Sequence, residues 1–196
     1  ELVLTDELGR LFQQSFGLGR SNPLDRAGVG AFHSALRNAE QATLECQLCR
    51  WTFYPREKVC PRCGHRRPPF LAIIRRVWSS APQRVGAGWT DVPFVVQADG
   101  IARALRARDC GEESDEELLR VSSDANGVSF QSLSSVEMRV LRHEGKNESG
   151  WGRSEVLTGM TRSYRPAPGH WWQIHLGPRD RDHAVLEVRS LGEAGK

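Results

Sequence analysis

The chain has 196 residues, 39% of them hydrophobic, and a formal net charge of +3. No run approaches the roughly 20 apolar residues that a membrane-spanning helix needs, and no basic-then-apolar signal pattern opens the sequence. These properties predict a soluble globular protein without a membrane partner. Its five cysteines, four of them in a metal-binding pattern, suit a reducing cytoplasm. The first residues, Glu1-Leu2-Val3, include no Met, from which we expect a fragment of a longer protein.

The charge is unevenly distributed along the chain. Residues 1–45 carry four basic and six acidic side chains, residues 46–84 nine and one, and residues 85–196 fourteen and seventeen. The three segments therefore have net charges of −2, +8 and −3. The middle segment is a basic island between two mildly acidic ones, which makes it a candidate binding surface.

The N-terminal part predicts two short helices. Thr5 is a suitable N-cap for the first helix, and Gly17 and Gly19 are expected to end it. The second helix is expected to begin near Asp25. Apolar side chains recur at helical spacing in both segments: Leu8, Leu11, Phe12 and Phe16, then Val29, Phe32, Leu36 and Ala39. Two such helices cannot bury both apolar faces alone, so they need the rest of the chain or an upstream domain.

Two Cys-x-x-Cys pairs follow the helices. Each pair places two thiolates at the tip of a tight turn, and two facing turns form the four-sulfur site that is typical of zinc. Disulfides are the alternative, but two such pairs at this spacing favour a metal. Four cysteines leave no open coordination position, so we expect one structural Zn²⁺ rather than a catalytic one. The predicted ligands are Cys46, Cys49, Cys60 and Cys63.

Short apolar runs separated by turn signals fill the rest of the chain. The runs are 70–78, 92–96, 101–106, 118–121, 127–130, 136–141, 156–157, 170–176 and 184–188. This pattern predicts an antiparallel sheet structure, with 127–130 and 136–141 as a sequential pair and the acidic stretch 109–117 as an exposed excursion. The predicted fold class is α+β: a helical segment (1–44), a four-cysteine zinc ribbon (45–68) and a β-sandwich or barrel-like domain (69–196).

The residues around the cysteines interleave aromatic rings with positive charges. Rings that stack on bases beside charges that bind phosphates are typical of nucleic-acid-binding zinc ribbons. Alternatively, the rings pack against the β domain while the basic side chains stay solvated or face an acidic partner, which the small area of one ribbon favours. The candidate surface for a partner or nucleic acid comprises Arg50, Trp51, Tyr54, Arg56, Lys58, Arg62, Arg66 and Arg67.

The sequence predicts no enzyme. It has no Ser/His/Asp spacing, no phosphate-binding loop and no HExxH motif. Cys110, the fifth cysteine, lies in an acidic neighbourhood that disfavours its thiolate, so it is a poor nucleophile. The weakest hypothesis is an enzyme site in the β domain, which would need a deep pocket lined by His170, Trp171 and His175. On that strand, alternation places Trp171 and His175 on the face opposite His170.

The N-terminal part resembles the end of a protein-kinase C-lobe. A helix, a Gly-rich spacer, the segment NPLDR at 22–26 and a helix containing Phe32 and Leu36 resemble the last two helices of that fold. The resemblance implies that Arg26 pairs with a buried Glu of an upstream part. The order of final helix, CxxC…CPxCG ribbon and β-rich tail is similar to C-terminal regions of bacterial kinase-like proteins encoded beside von Willebrand A and phosphatase proteins in tellurium-resistance-type systems.

None of the kinase catalytic motifs lies in this chain. The resemblance therefore implies a non-catalytic regulatory or protein-interaction segment of a bacterial kinase-like protein. Its expected partner is an upstream kinase domain or a von Willebrand A or phosphatase protein. The alternative function is that of a nucleic-acid-binding zinc-ribbon protein.

Overall fold

A computed structural model of the chain describes residues 5–81, 83–88, 94–145, 151–165 and 169–190. Its helices are α1 (Asp6–Gln13), α2 (Gly19–Ser21) and α3 (Val29–Gln41). Its strands are β1 (Leu44–Glu45), β2 (Thr52–Phe53), β3 (Phe70–Ser79), β4 (Arg84–Gly88), β5 (Phe94–Gln97), β6 (Arg103–Arg106), β7 (Glu117–Ser123), β8 (Val128–Ser132), β9 (Arg139–Glu144), β10 (Glu155–Val156), β11 (Thr161–Tyr164), β12 (His170–His175) and β13 (His183–Ser190). None of the helices in these ranges combines the length and the hydrophobicity of a membrane-spanning segment.

The strands form three antiparallel sheets, so the predicted α+β class is confirmed. β1 and β2 make a small hairpin. A seven-stranded sheet runs β10-β9-β12-β13-β3-β4, and β5 also pairs with β3. A four-stranded sheet runs β11-β8-β7-β6. The long strand β3 pairs with β5 through Phe70–Ile73 and with β4 further along.

The two large sheets share one hydrophobic core. Trp172 of β12 and Phe130 of β8 are fully buried there, and their rings meet edge to face with centroids 5.9 Å apart. Alternation decides which side chains enter this core. In β3, Leu71 and Ile73 point into it, while their neighbour Phe70 belongs to a separate cluster on the outer face of the sheet.

Most predicted strands are present, but one predicted pairing is wrong. The run 127–130 corresponds to β8, which pairs with β7 and β11, whereas β9 pairs with β12 and β10. The run 136–141 does not form one strand. The N–H of Met138 donates to Thr158 Oγ1 at 2.6 Å and its side chain is buried in the core, so this connection carries the chain between the sheets.

In the two large sheets, the sequence did not predict two of the strands, because their residues are poor strand formers or polar. β4 reads RVGAG and β11 reads TRSY. The predicted run 92–96 begins with Val92 and Pro93, which lie outside the described residues, and its remainder is β5.

The first helix begins where expected but does not end there. Thr5 Oγ1 accepts a hydrogen bond from the Leu8 N–H at 3.3 Å, which confirms the N-cap. Helical backbone then continues through a π-helical turn, Gln14–Leu18, and α2. Gly19 does not stop the helix. It permits close packing instead, because a Cβ at this position would lie 2.7 Å from Arg26 Cγ.

The helices bury less apolar surface than their sequence pattern predicts. α1 and α3 pack together through a small hydrophobic cluster, and Tyr54 packs against it. The buried residues of this cluster are Leu8, Leu11, Ala35 and Ala39. α3 turns its alanine side inward, where small side chains allow close approach. Two residues of its predicted apolar face, Val29 and Leu36, therefore remain 86% and 56% exposed.

A buried polar network joins α3 to the sheets. The carboxylate of Asp109 accepts hydrogen bonds from Gln41 Nε2 at 3.0 Å and from the Arg106 N–H at 2.9 Å, and it lies 3.2 Å from Arg37 Nη2. Arg75 Nη1 on β3 donates to the Asp109 carbonyl at 3.1 Å. The prediction that the acidic stretch is exposed is therefore wrong at Asp109, which is 4% exposed because these partners satisfy its charge.

Candidate metal centre

The two cysteine pairs form two turns of the same geometry. In the first turn, the Cys46 N–H donates to the Trp51 carbonyl at 2.9 Å and the Arg50 N–H donates to the Cys46 carbonyl at 3.0 Å. In the second, the Cys60 N–H donates to the His65 carbonyl at 2.7 Å and the Gly64 N–H to the Cys60 carbonyl at 2.9 Å. The residue after each pair has a positive φ, 62° for Arg50 and 72° for Gly64.

The turns bring all four sulfur atoms together. Cys46 Sγ lies 3.5 Å from Cys63 Sγ, and Cys49 Sγ lies 3.6 Å from Cys60 Sγ. All four ligand atoms lie within 4.8 Å of one another, and no disulfide links them. A tetrahedral metal with metal–sulfur bonds of about 2.3 Å separates its sulfurs by roughly 3.8 Å. The four cysteines can therefore hold one metal ion, and His65 is not a member of the cluster.

The pKa values of Cys46 and Cys63 shift in opposite directions. Hydrogen bonding from the Cys49 backbone lowers the pKa of Cys46 to about 6. The His65 backbone acts to lower the pKa of Cys63, but burial and the neighbouring thiols outweigh it and raise that pKa to about 12. The Cys46 thiolate is thus available near neutral pH. Metal binding would release protons, because cysteine binds a metal as its thiolate.

The cysteine hairpin, residues 44–67, lies against both other parts of the fold. Leu44 and Phe53 join Phe70 and Val95 in a buried cluster on the outer face of β3 and β5. The Glu45 N–H donates to Gln97 Oε1 of β5 at 3.0 Å. Tyr54, at the other side of the hairpin, packs into the helical cluster. The candidate metal centre is therefore positioned between the helices and the large sheet.

The predicted basic surface is divided between exposed and packed side chains. Trp51 is 48% exposed, and the guanidinium of Arg62 lies over its ring, 5.3 Å from the centroid. Arg50 and Arg56 form ion pairs with neighbouring glutamates, the second at 3.3 Å. Arg67 donates to the Pro55 carbonyl and covers the Phe70 ring. Lys58 and Arg66 are exposed, and the exposed side of the hairpin is both basic and apolar.

The two histidines of β12, His170 and His175, lie on opposite faces of the strand and do not form a common site. Trp172 and Ile174 enter the core, so His170 shares their face, while Trp171 and His175 occupy the other face, as predicted. His175 is buried there, and its Nδ1 lies 2.9 Å from His183 Nε2. A site lined jointly by His170, Trp171 and His175 is not formed.

Cys110 is buried at the edge of the core. Burial raises its pKa to about 12, and the neighbouring Asp109 carboxylate acts in the same direction. Its thiol is therefore neutral near pH 7, in line with the expectation of a poor nucleophile.

The comparisons with models of protein families, with curated proteins and with solved structures found no match for this chain. The function of this chain is therefore inferred from the geometry of its own residues. Sequence reasoning located the four cysteines but missed Arg75 and Asp109, because a buried hydrogen bond between residues far apart in the chain leaves no local pattern.

Proposed function

We propose that this chain is a non-catalytic protein-interaction module stabilised by one structural zinc ion, of the kind expected in a bacterial kinase-like protein. Zinc suits the donor set, because four thiolates in close proximity match its preferred coordination and leave no position for a substrate. Bound by Cys46, Cys49, Cys60 and Cys63, the ion would hold the hairpin in the shape that contacts both the helices and the sheet.

The observation that carries this proposal is the exposure of large apolar side chains on the helical segment. They are Phe12, Phe16, Leu18, Leu24 and Val29, which we call the apolar helix surface. The last four are 70%, 75%, 92% and 86% exposed. Burying one such side chain in a partner contributes about 1.5–3 kcal/mol, so several of them together favour association.

The side chain of Arg26 provides a second reason to place the partner on the apolar helix surface. Its Nε donates to the Gly19 carbonyl at 2.8 Å, and within the described residues it has no acidic partner. The kinase resemblance implies that this side chain pairs with a Glu of an upstream part. An acidic residue beside an apolar patch on the partner would complement this surface.

Site-specific photocrosslinking in cells of the native host tests the proposal. We expect a crosslinker at Phe16 to give one discrete adduct with a kinase-like, phosphatase or von Willebrand A protein, or with an upstream segment of the same chain. A crosslinker at Gln131, which is exposed on β8, is the matched control. Absence of an adduct at Phe16, or the same adducts at both positions, would contradict the proposal.

Nucleic-acid binding is a second candidate, favoured by the arrangement of Arg62 over the exposed Trp51 ring. A ring that is accessible to bases beside a charge that binds phosphate is suited to single strands. A gel shift with short RNA and DNA at rising salt tests it. Steep loss of affinity with salt, and its abolition in Trp51→Ala but not in Arg162→Gln on β11, would support this function. No shift at low salt excludes it.

A further inference from the structure

We propose that a groove between α3 and the edge strand β6 binds an extended acidic peptide, one that carries carboxylate or phosphate side chains. This goes beyond the proposed function, because the groove is a different surface from the apolar helix surface. The groove has a volume of about 630 Å³. Its basic lining residues are Arg37, Arg103, Arg106 and Arg108, with His33 at the α3 side.

The basic lining of the groove favours an anionic ligand. Among the described residues, four arginines line it, of which Arg37 is paired with the buried Asp109, against the single acidic side chain of Glu40. Arg103 has no ion-pair partner within the described residues. A guanidinium presents its N–H groups as a fork that matches carboxylates and phosphates, which makes clustered arginines a specific recognition element rather than a general charge.

The chain already binds carboxylates with these arginines. Arg106 and Arg108 both form ion pairs with Asp115, the first at 3.7 Å, and Arg106 also lies 3.9 Å from Glu117. The Asp115 side chain is 58% exposed, so these ion pairs are open to solvent and weak. An acidic peptide would replace the carboxylate of Asp115 with its own, and the acidic segment of the chain acts as an internal competitor.

The backbone around the groove favours an extended peptide over a compact anion. Within the described residues, β6 pairs only with β7 and is the edge of the four-stranded sheet. Such an edge can accept a further strand, which supplies backbone hydrogen bonds while side-chain contacts supply specificity. Leu36, 56% exposed, and the buried Phe94 add apolar lining to the same groove.

Two polar atoms of α3 have unmet hydrogen-bonding capacity beside the groove. Arg37 Nε and Gln41 Oε1 are buried and have no hydrogen-bond partner among the described residues. They are one helical turn apart, so they lie on the same side of α3. One is a donor and the other an acceptor. An extended peptide offers the groove both acceptor oxygens and backbone N–H donors, whereas an inorganic anion offers acceptors only.

Fluorescence anisotropy with short labelled peptides tests this proposal. The probes share one extended scaffold that carries glutamates, phosphoserines or, as the neutral control, glutamines. We expect the anionic probes to bind and the glutamine probe not to bind. Comparison of the glutamate and phosphoserine probes decides which anion is preferred.

Variants locate the site. Arg103→Gln with Arg108→Gln should weaken binding by about tenfold, because both lining charges are lost while the buried Asp109 network is kept. Asp115→Asn should tighten binding by up to about fivefold, because it removes the internal competitor. Arg162→Gln on the far strand β11 is the matched control for lost charge, and Leu24→Ser should bind like the parent chain.

Amide chemical-shift changes on titration should cluster in α3 and β6. The proposal is overturned if no anionic probe binds at low salt, if the double arginine variant binds normally, or if Asp115→Asn weakens binding. Equal competition by a single-stranded oligonucleotide would also overturn it, in favour of a nucleic acid. Crosslinking at Phe16 is independent of this experiment, so the two proposals can fail separately.

Discussion

Arg50 and Gly64 are structural counterparts. Each follows the second cysteine of its pair, each has a positive φ, and each donates its N–H to the carbonyl of the first cysteine of its turn. Only glycine adopts this conformation without a steric penalty, so the first turn of the metal centre is strained and the second is not.

We expect Arg50→Gly to stabilise the metal-loaded protein by up to about 1 kcal/mol, since it relieves a left-handed backbone at a residue with a Cβ. The corresponding rise in Tm is about 2–4 °C. The ion pair of Arg50 with Glu45 is exposed and contributes little. Arg50→Ala removes the same ion pair but keeps the Cβ, and it is the control for calorimetry. A Tm below that of Arg50→Ala would contradict the strain argument.

Gly64→Ala should have the opposite effect. No atom of the described residues lies within 4 Å of the position that its Cβ would occupy, so the penalty comes from φ alone. We expect a loss of about 1 kcal/mol in thermal unfolding, with metal binding retained. An unchanged Tm would show that the second turn can relax out of the left-handed region.

Removal of the metal should loosen one defined part of the sheet. The cysteine hairpin covers Phe70 and Val95, so chelation should raise amide exchange in β5 and in the first half of β3 but not in β8. Elemental analysis should give one zinc per chain, and Cys60→Ser should lose it. Cys110→Ala is the control and should keep the metal. A melting temperature unchanged by chelation would overturn a structural role.

Arg75→Met should be among the most destabilising single changes. It leaves the Asp109 segment without its β3 partner and breaks a buried charged network, which costs about 3–5 kcal/mol. Burial lowers the pKa of Arg75, and the Asp109 carboxylate opposes this shift. Arg120→Gln, which removes an exposed ion pair with Glu117, should change the free energy of unfolding by less than about 1 kcal/mol. Urea unfolding of the two variants makes the comparison.

His175 should make the protein less stable in acid. Burial, with His183 and His143 nearby, lowers the pKa of His175 to about 3. The unfolded chain, with an ordinary histidine pKa near 6.5, therefore binds the proton first as the pH falls. The contribution is complete above about pH 6.5 and declines toward pH 3, by at most about 1.4 kcal/mol per pH unit.

Urea unfolding between pH 7 and pH 4 measures this slope. His175→Gln should flatten it, because the variant has no imidazole to protonate. The exposed His33 provides the matched control, and His33→Gln should keep the slope of the parent chain. Equal slopes in all three proteins would show that other groups control acid sensitivity.

The sequence predicted those parts of the molecule that depend on local spacing. Short sequence patterns predict the cysteine pairs, the Thr5 cap and the alternation of β12. The structure has all three as expected. The metal-binding capacity of the cluster follows from the same spacing. The identity of the metal, the kinase relationship and the partner stay predictions.

The errors arose where distant residues decide the outcome. The sequence predicts that Gly19 ends the helix, but the missing side chain of Gly19 instead allows Arg26 to pack closely against it. Asp109 opens an acidic stretch and reads as exposed, yet α3 and β3 together bury it. The pairing of 127–130 with 136–141 failed because nearness in sequence does not show which sheet a strand joins. The groove beside α3 needs the helix and the sheet in place before it exists.

The packing of the cysteine hairpin on strand β3 depends on the register of β3 against β5. Its successive residues serve different clusters: Leu71 and Ile73 the main core, Phe70 and Ala72 the cysteine hairpin. A slip of one residue against β5 would move the larger apolar side chains to the wrong face and leave the hairpin without its contact. The cysteine hairpin therefore fits only one register of β3 and β5, and its contact with Phe70 and Ala72 distinguishes this register from a pairing shifted by one residue.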